Sequence, residues 1–483
     1  MILDFFRKKE EKPIYLFNTL SKQKELFKSI KKCHVSFYQC GPTVYWTQHL
    51  GNLRAATLSD FIRKTFVYLG YKVKFVRNYT DVGHLVSDGD SGEDKMEKGV
   101  KREGLSPRQI ADKYIEIFEN DIKDLNIPLP DFTPRATDYI KEIIQMIETL
   151  LKKGFAYSTD LAIYFDVTKA KDYTRLSRQN LEENRAGSGH ADVEDKQKRN
   201  HVDFALWFFR AGTHKNAIQY WPSPFKSALV ENGNGFPGWH IECSSMSKKL
   251  LGDTIDIHMG GIEHIPVHHT NEIAQSESAN GKPFVHYWLH NEWLITNGGK
   301  MAKSDGTAYN LADVKERGFD PLSVRFLFLQ AHYRSKQNFT WESLTAAQSG
   351  LDRLRKQVLS LGKKVGKIDR KYKKDFTEKI SDDFNTPQAL AILSEVLRSN
   401  FSDEDKLATI LDFDNVLGLN LKDITINSNT IEKMPIEIQE ILDERSVARE
   451  NKEWKKSDEL RDKIFTLGYT VKDTSEGQEI TKI

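Results

Sequence analysis

Apolar and polar residues follow two different periods in the first part of the chain. Residues 34–40 are mostly apolar or aromatic and predict a buried strand that ends at the glycine–proline break that follows. Residues 54–71 have the spacing of a helix that ends at Gly70, and residues 72–81 again resemble a strand. A strand, a glycine turn, a helix and a second strand in this order predict a parallel α/β unit.

The rest of the chain divides at changes of the same kind. Helices are predicted from Ser106 to about 122 and over 137–153. The α/β pattern resumes at 203 after a polar loop and ends near 310, beyond which the sequence is helical and strongly charged. We therefore predict an α/β fold: a Rossmann-like parallel-sheet domain split by an insertion and followed by an all-helical C-terminal region.

The composition of the chain indicates where the protein is found more clearly than what it does. Charged residues make up 29% of the chain and the net charge is +2, so only a local basic patch could bind nucleic acid. The three cysteines, Cys33, Cys40 and Cys243, form no disulfide framework and favour a reducing compartment. The first residues lack a signal peptide's apolar stretch, and no apolar run approaches the length of a membrane span. We expect a soluble cytoplasmic protein with no membrane partner.

The turn His49-Leu50-Gly51-Asn52 lies where the first predicted strand ends and the helix begins. Backbone N–H groups and the helix dipole favour anions at such a position, and an imidazole can hydrogen-bond a phosphate oxygen. The glycine leaves room for an adenine ring. A motif this short recurs by chance, however, and a surface turn that contains histidine is the commoner explanation.

A second phosphate signal is the loop NGGKMAKSDG at 297–306, which contains Lys300 and Lys303. A cationic loop flanked by glycines could close on pyrophosphate as charge builds during displacement, although a solvated lysine turn is commoner. An H-[IL]-G-[HN] motif followed about 250 residues later by K-M-x-K-S resembles the paired signatures of class I aminoacyl-tRNA synthetases.

Cys40 precedes the first of these motifs, and three further residues could complete a metal site with it. His268 and Glu272 have the i, i+4 spacing that places two side chains on one helix face, and Cys243 supplies a second thiol. Such a set is tetrahedral, and zinc is its expected metal. The alternatives are buried cysteines that act as small hydrophobic residues and a His–Glu pair on a helix surface.

Seven segments together resemble the cysteinyl-tRNA synthetase family, in that family's order and approximate spacing, from about residue 15 to the C-terminus. In the family, the positions that match the four candidate ligands hold a zinc ion, and the substrate thiol coordinates it. The positions that match Thr80 and Trp239 lie in the amino-acid pocket. The segments are YQCGPTVYWTQHLGNLR, RNYTD, LWF, GFPGWHIECSSM, DIHMGGIEHIPVHHTNEIAQ, KMAKS and DDFNTPQAL.

The resemblance implies a cysteine–tRNA ligase. The enzyme would join L-cysteine to ATP as cysteinyl-adenylate, release pyrophosphate and transfer the cysteinyl group to the 3′ end of tRNA(Cys), with Mg²⁺ accompanying ATP. Zinc prefers a thiolate to a hydroxyl, so cysteine would be separated from serine without a proofreading site. We expect a monomer with one Zn²⁺ per chain, although cobalt or iron could occupy the same ligands.

The resemblance also distributes the catalytic roles. His49 and Asn52 are expected to stabilise the phosphates, and Lys300 and Lys303 to close on them in the transition state. No covalent nucleophile is needed, because positioning and charge stabilisation carry the reaction. The expected ATP-binding residues are His49, Gly51, Asn52, Asp256, Gly260, Gly261 and Lys303.

Five domain segments are expected. The split catalytic domain would occupy 1–81 and 203–310, the latter with the zinc ligands and the lysine loop, around a connective insertion at 82–202. A helical connecting domain at 311–370 would contact the tRNA stem, and a helical anticodon-binding domain with a C-terminal tail would occupy 371–483. Basic residues at 363–374 could contact a nucleic-acid backbone.

Several positions depart from the commonest family pattern: Asn52, Ala302, Glu263 and the Val-Gly-His that follows Asp81. None of them removes a candidate zinc ligand or Lys303. Two other functions share many of these residues. A paralogous ligase would give activated cysteine to an amino sugar and would lack the full anticodon-binding domain, and a non-catalytic tRNA- or zinc-binding relative would have lost a ligand or Lys303.

Overall fold

The computed structural model describes residues 13–83, 95–179, 195–296, 299–300, 308–423, 436–474 and 477–482. Within these ranges, no helix combines the length and the apolar character needed to cross a bilayer. The strands are β1 Tyr15–Asn18, β2 Gln23–Leu26, β3 His34–Gln39, β4 Lys72–Arg77, β5 Ala156–Ser158, β6 Ala162–Phe165, β7 Phe204–Phe209, β8 Gly235–Pro237, β9 Ile255–Gly261, β10 Val285–Asn291, β11 Leu294–Thr296, β12 Gly299–Lys300, β13 Gln337–Phe339, β14 Tyr469–Thr474 and β15 Gly477–Lys482. The α-helices are α1 Leu50–Tyr68, α2 Lys95–Glu103, α3 Pro107–Asp124, α4 Ile140–Lys152, α5 Trp239–Leu251, α6 His268–Asn280, α7 Leu311–Glu316, α8 Pro321–Leu329, α9 Trp341–Ser360, α10 Arg370–Ser381, α11 Thr386–Arg398, α12 Asp403–Leu417, α13 Ile436–Glu450 and α14 Trp454–Thr466.

Four parallel strands form the central sheet, in the spatial order β10-β9-β3-β4. β3 and β4 pair from His34 opposite Lys72 to Gln39 opposite Arg77, and α1 connects them. β9 lies on the other side of β3 although the whole insertion separates the two strands in sequence. The predicted fold class, a parallel-sheet domain split by an insertion, is therefore confirmed.

One apolar cluster joins the sheet to the C-terminal helices. Phe61 and Phe66 of α1 are buried in the same cluster as Phe37 of β3 and Phe413 of α12. Burial of each large apolar side chain is worth about 1.5–3 kcal/mol relative to exposure. The C-terminal helices are thus built onto the catalytic sheet through α1, the helix that begins at the His49 turn.

The insertion contains helices and part of an antiparallel sheet of order β5-β6-β7-β8. This sheet crosses the expected boundary at 202, because β5 and β6 lie in the expected insertion whereas β7 and β8 lie in the segment expected to be the second half of the catalytic domain. The predicted start of α3 is confirmed: the Ser106 hydroxyl accepts the Gln109 N–H, the Gln109 side chain accepts the Ser106 N–H, and Pro107 occupies the first turn. The second predicted helix is observed as a short 3₁₀ turn, Ala136–Tyr139, that continues into α4.

The C-terminal region is helical, as the charged amphipathic pattern predicts, but it also contains strands that the sequence analysis did not predict. β14 and β15 form an antiparallel hairpin that closes the chain. β13 pairs in parallel with β11, the strand that precedes the lysine loop. This second pairing connects the start of the C-terminal region directly to the edge of the catalytic domain.

A buried arginine in α8 joins three parts of the chain. The Arg325 guanidinium donates to the Asp60 carboxylate of α1 at 2.8 Å, to the Leu417 carbonyl at 2.7 Å and to the Leu125 carbonyl at 3.1 Å. Both charged side chains are essentially inaccessible to solvent. Loss of one partner from such a pair is strongly destabilising, so this contact fixes the insertion and the C-terminal helices relative to α1.

Asp121 of α3 is a buried carboxyl group without a strong partner. Its Oδ2 atom has no hydrogen-bond partner among the described residues, and its side chain is 9% exposed. Burial, with a smaller effect of Asp124, raises its pKa to about 7, while Lys315 acts in the opposite direction. The folded protein therefore binds this proton more tightly than the unfolded chain, and stability is lost as the pH rises toward and through 7.

Asp121→Asn is expected to raise the melting temperature, because the amide cannot ionise in the buried position. The gain should widen from pH 4 to pH 8 and reach on the order of 2–4 °C. Asp124→Asn is the matched control, since Asp124 pairs with Lys315 at 2.7 Å in an exposed position. Thermal unfolding across this pH range checks the prediction, and an equal effect of both substitutions would contradict it.

Candidate metal and nucleotide site

A cavity of about 340 Å³ opens at the carboxyl ends of three sheet strands. Its wall includes Cys40 after β3, Gly260 and Gly261 at the end of β9, and 291–294 at and after the end of β10. This volume suits a small-molecule ligand. The carboxyl edge of an open parallel sheet is also where α/β proteins bind their ligands, so the cavity is the candidate site.

The predicted phosphate turn lies in the wall of this cavity. His49 is the extended N-cap of α1, and His49, Gly51 and Asn52 all line the cavity. A Cβ atom at Gly51 would lie 2.9 Å from the His49 ring, so glycine is required for the position of the imidazole. The first turn of α1 contains no acidic residue that would compete for its N–H groups. The arrangement is suited to an anion.

The lysine loop begins at the same cavity. Leu294 of β11 lines the cavity, and β11 pairs antiparallel with β12, Ile295 opposite Lys300. The Lys300 side chain and the whole of Lys303 lie outside the described residues. Their expected contact with phosphates therefore stays a prediction.

The four predicted metal ligands converge at one point beside the cavity. Sγ of Cys40 lies 3.9 Å from Sγ of Cys243 and 3.7 Å from Oε1 of Glu272. Nε2 of His268 lies 3.0 Å from the same Glu272 oxygen. All four ligand atoms are within 4.8 Å of one another, although β3, α5 and α6 supply them from distant parts of the chain.

The two distances from Cys40 fit a tetrahedral cation, whereas the 3.0 Å between His268 and Glu272 is shorter than the roughly 3.4 Å that two such ligands would keep. Zn–S bonds of about 2.3 Å and Zn–O bonds of about 2.1 Å place two sulfurs about 3.8 Å apart and a sulfur and an oxygen about 3.6 Å apart. Glu272 is fully buried, and its Oε2 atom has no hydrogen-bond partner among the described residues. A buried carboxylate with one unsatisfied oxygen is costly unless a charge compensates it. The residues therefore could hold a metal ion.

A second, overlapping set was missed from the sequence. His258 and His269 each place Nε2 3.3 Å from Sγ of Cys40, and both also lie near Oε1 of Glu272. With Cys40 and Glu272 they form an alternative group of four. Burial lowers the pKa values of both histidines, so they are neutral and able to offer a lone pair.

Burial governs the charges of the remaining candidate ligands. It raises the pKa of the Cys40 thiol and that of the Glu272 carboxyl. The neighbouring Cys40 thiol lowers the pKa of Cys243, which is the thiol that ionises more easily. The protein alone thus resists the full set of negative charges, and a cation at this point would relieve that resistance.

Neighbouring residues hold the candidate ligands in place. Nδ1 of His240 lies 2.9 Å from Nδ1 of His268 and fixes the orientation of that ring. The Asn78 amide oxygen accepts the N–H of Gly41, directly after Cys40, at 2.9 Å and lies 3.9 Å from Sγ of Cys243. A Cβ atom at Gly41 would lie 1.6 Å from the backbone carbonyl oxygen of Asn78, so the close approach of these two backbone segments requires glycine at 41.

The two expected amino-acid pocket residues differ in position. The Trp239 ring lines the cavity and lies 4.6 Å from the His268 ring, centre to centre. Thr80 is buried behind the wall, where its hydroxyl accepts the side-chain N–H of Asn78 at 3.2 Å. Thr80 also pairs through its backbone with Thr43, which does line the cavity.

Asp256 is not placed where the expected contact with adenosine requires it. It lies near the start of β9, at the sheet edge away from the cavity, and its carboxylate accepts the N–H groups of Ile30 and Ser36 at 2.6 and 2.8 Å. The wall instead contains Gly260, Gly261 and Glu263 at the other end of that strand. We therefore assign Asp256 a structural role and remove it from the candidate ATP site.

Comparisons with known proteins agree with the predicted fold class and family. The chain matches the model of the tRNA synthetases class I (C) catalytic domain over 26–349, a DALR domain over 375–422 and the cysteinyl-tRNA ligase anticodon binding domain over 432–480. Its fold resembles that of Mycobacterium tuberculosis methionyl-tRNA synthetase solved with methionyl-adenylate, with a TM-score of 0.55, 14% identity and coverage of 81% of this chain and 93% of that one. The protein is a class I aminoacyl-tRNA synthetase in fold.

Two relatives that match nearly the whole chain identify the family within this class. Cysteine–tRNA ligase 1 of Burkholderia lata is 42% identical over 472 residues, which cover 97% of each chain. Cysteine–tRNA ligase of Treponema denticola is 41% identical over 489 residues, which cover 95% of this chain and 97% of that one. The chain belongs to the cysteinyl-tRNA synthetase family.

Asn78→Ala is expected to weaken metal binding, because it frees the backbone after Cys40 and removes a neighbour of Cys243. Loss of such a supporting contact typically lowers metal affinity about 10- to 100-fold. Zinc affinity measured by competition with a chromophoric chelator checks this. Asn415→Ala is the control, since that exposed side chain only bonds carbonyls of its own helix, α12. Unchanged affinity in Asn78→Ala would contradict the assignment.

Proposed function

We propose that this chain is a cysteine–tRNA ligase that forms cysteinyl-adenylate from ATP and L-cysteine and passes the cysteinyl group to the 3′ end of tRNA(Cys). The observation that carries the proposal is the convergence of Cys40, Cys243, His268 and Glu272 at the wall of the cavity that also contains His49 and Asn52. A site for a thiol and a site for a nucleotide are adjacent there, as the joining of cysteine to ATP requires.

We propose zinc as the metal and the set with two cysteines as its ligands. Thiolates are preferred ligands of Zn²⁺, and this set contains two of them, whereas the overlapping set with His258 and His269 contains one. Bound zinc would supply a Lewis acid that takes a substrate thiol as thiolate and leaves a hydroxyl unbound. An apolar pocket alone discriminates such close analogues by only about 100-fold.

The chain's own side chains bind and orient the substrates. Trp239, beside His268, would cover the amino acid, and Thr80 would support that pocket through Asn78. Gly51, Gly260 and Gly261 would allow the nucleotide close to the backbone. His49 and Asn52, at the N-terminus of α1, would contact the phosphates of ATP. Lys300 and Lys303 of the lysine loop would contact the same phosphates, and Mg²⁺ would accompany ATP.

The helical region would bind the tRNA. Matches to a DALR domain and to an anticodon binding domain support this use of the segments that follow residue 370. Three lysines of the basic stretch are already paired within the protein: Lys364 with Glu404, Lys373 with Asp412 and Lys374 with Glu378. Part of that stretch therefore also stabilises the helices, and we propose that Lys367, Arg370 and Lys371 of the stretch contact the tRNA backbone. We propose a monomer. We also retain the expected domain boundaries, except that we assign β7 and β8 to the insertion because they pair with its strands β5 and β6.

Cysteine-dependent ATP–pyrophosphate exchange tests the proposal. The wild-type protein should catalyse exchange with cysteine and not with serine, and Cys243→Ser should lower both its bound zinc and its exchange rate at least about 10-fold. Cys33→Ser is the matched control, because Cys33 lies in the turn before β3 and is not among the residues that line the cavity.

Acylation of total tRNA with labelled cysteine, in the same preparation, tests the transfer step. Labelled tRNA with normal exchange supports the ligase. Exchange without labelled tRNA would instead indicate the paralogous ligase that uses an amino sugar. Absence of exchange in a zinc-loaded wild-type protein would contradict the proposal and favour the non-catalytic relative.

A further inference from the structure

An aromatic ring with an arginine guanidinium over it lies at the mouth of the cavity. Trp46, three residues before His49, lines the cavity and is 36% exposed. The guanidinium carbon of Arg102, from α2 of the insertion, lies 3.8 Å from the centre of the Trp46 ring. The close stacking of a guanidinium on an indole is the geometry of a strong cation–π contact.

This pair is held rigidly by the insertion. The Arg102 guanidinium donates to the Tyr45 carbonyl at 3.0 Å and to the Glu103 carboxylate at 2.6 Å. It also donates to the Tyr114 hydroxyl at 3.0 Å, and the Tyr114 ring lies within 14° of parallel to Trp46 at 6.5 Å. We call Trp46, Arg102 and Tyr114 the mouth platform. Because its side chains are already ordered, a ligand that stacks on it loses little conformational entropy.

Arg102 of the platform belongs to a basic helix, α2, that packs close to the cavity. A Cβ atom at Gly99 of α2 would lie 3.6 Å from the Tyr45 carbonyl, so α2 packs directly on the segment that leads to His49. Residues 95–103 contain four basic and two acidic side chains. By sequence the helix therefore carries more basic than acidic residues, and it packs on the segment that leads to His49 in the cavity wall.

Exposed aromatic rings combined with arginine and lysine are the recurrent means of binding unpaired nucleotides, whose bases stack on the ring while the phosphates meet the charges. The transfer step of the proposed function, on which this inference rests, requires the unpaired 3′ end of a tRNA to enter this cavity. We propose that the mouth platform binds that end, with a base of its unpaired nucleotides stacked on Trp46 and its backbone beside α2.

The position of Trp46 separates this role from binding of ATP or cysteine. Its neighbours are Arg102 and Tyr114 of the insertion, and neither of these two residues lines the cavity that contains the candidate ATP and cysteine contacts. Loss of Trp46 should therefore act mainly on the second step of the reaction.

Two assays on the full-length, zinc-loaded protein test the proposal with Trp46→Ala and Trp46→Phe. One is ATP–pyrophosphate exchange; the other is single-turnover transfer from preformed adenylate to tRNA. Stacking of a base on an aromatic residue is worth about 1–3 kcal/mol, so in Trp46→Ala the transfer efficiency should fall about 10- to 100-fold more than exchange does. Trp46→Phe should restore much of the difference.

The matched control is Tyr220→Ala, which removes another exposed ring under an arginine, Arg210 at 4.0 Å, that does not line the cavity. It should alter neither assay. Affinity for tRNA provides the second readout: Trp46→Ala should weaken binding of intact tRNA and leave binding of tRNA that lacks its unpaired 3′ nucleotides unchanged.

Three results would overturn the proposal. A higher KM for ATP or cysteine without a selective loss of transfer would place Trp46 in the small-molecule pocket. Equal weakening for intact and shortened tRNA, or no effect in any assay, would remove the 3′ end as its ligand. Absence of exchange in the wild-type protein would count against the proposed function itself, which keeps the two failures distinct.

Discussion

The thiol of Cys40 lies within 4 Å of both the Cys243 thiol and the Glu272 carboxyl group, in a largely buried position, and this cluster is the constraint around which the catalytic domain is arranged. Removal of such groups from water is costly unless they are paired or bind a cation. Cys40 can reach the others only because β3 ends beside the N-termini of α5 and α6, and that requires β9 to pair with β3. The candidate metal site therefore depends on the strand order of the parallel sheet.

The carboxyl end of β3 also positions the turn from His49 to Asn52. Cys40 and His49 belong to one short connection between β3 and α1, so a group held at Cys40 lies beside the anion-binding start of the helix. The buried contact of Arg325 with Asp60 then fixes that helix to the insertion and to the C-terminal helices. A tRNA bound by the helical region would thus be attached to the helix whose N-terminus is proposed to contact the phosphates.

Much of this arrangement could be predicted from the sequence. The β3–α1–β4 unit is local, and its periodicity and glycine turn are clear signals. Residue types, spacing and the family resemblance together group Cys40, Cys243, His268 and Glu272, and the structure places their ligand atoms within 4.8 Å of one another. The KMAKS loop, with Lys303, falls outside the described residues.

Other features could not be predicted, for physical reasons. His258 lies within an apolar strand, where a histidine in the core and a histidine at a metal give the same pattern. The role of Asp256 depends on which end of β9 faces the cavity, which is a property of the sheet and not of the sequence around it. The mouth platform joins Trp46 to Arg102 across two domains, and no local pattern shows such a pairing.

A metal held by Cys40, Cys243, His268 and Glu272 is proposed to bind the sulfur of the substrate. Absorption spectroscopy of the cobalt-substituted protein tests it most directly, because sulfur-to-cobalt charge-transfer bands report each thiolate bound to the metal. Cysteine should strengthen these bands and serine should leave them unchanged, with the cobalt content constant throughout. A spectrum that responds to neither amino acid, or equally to both, would contradict the claim.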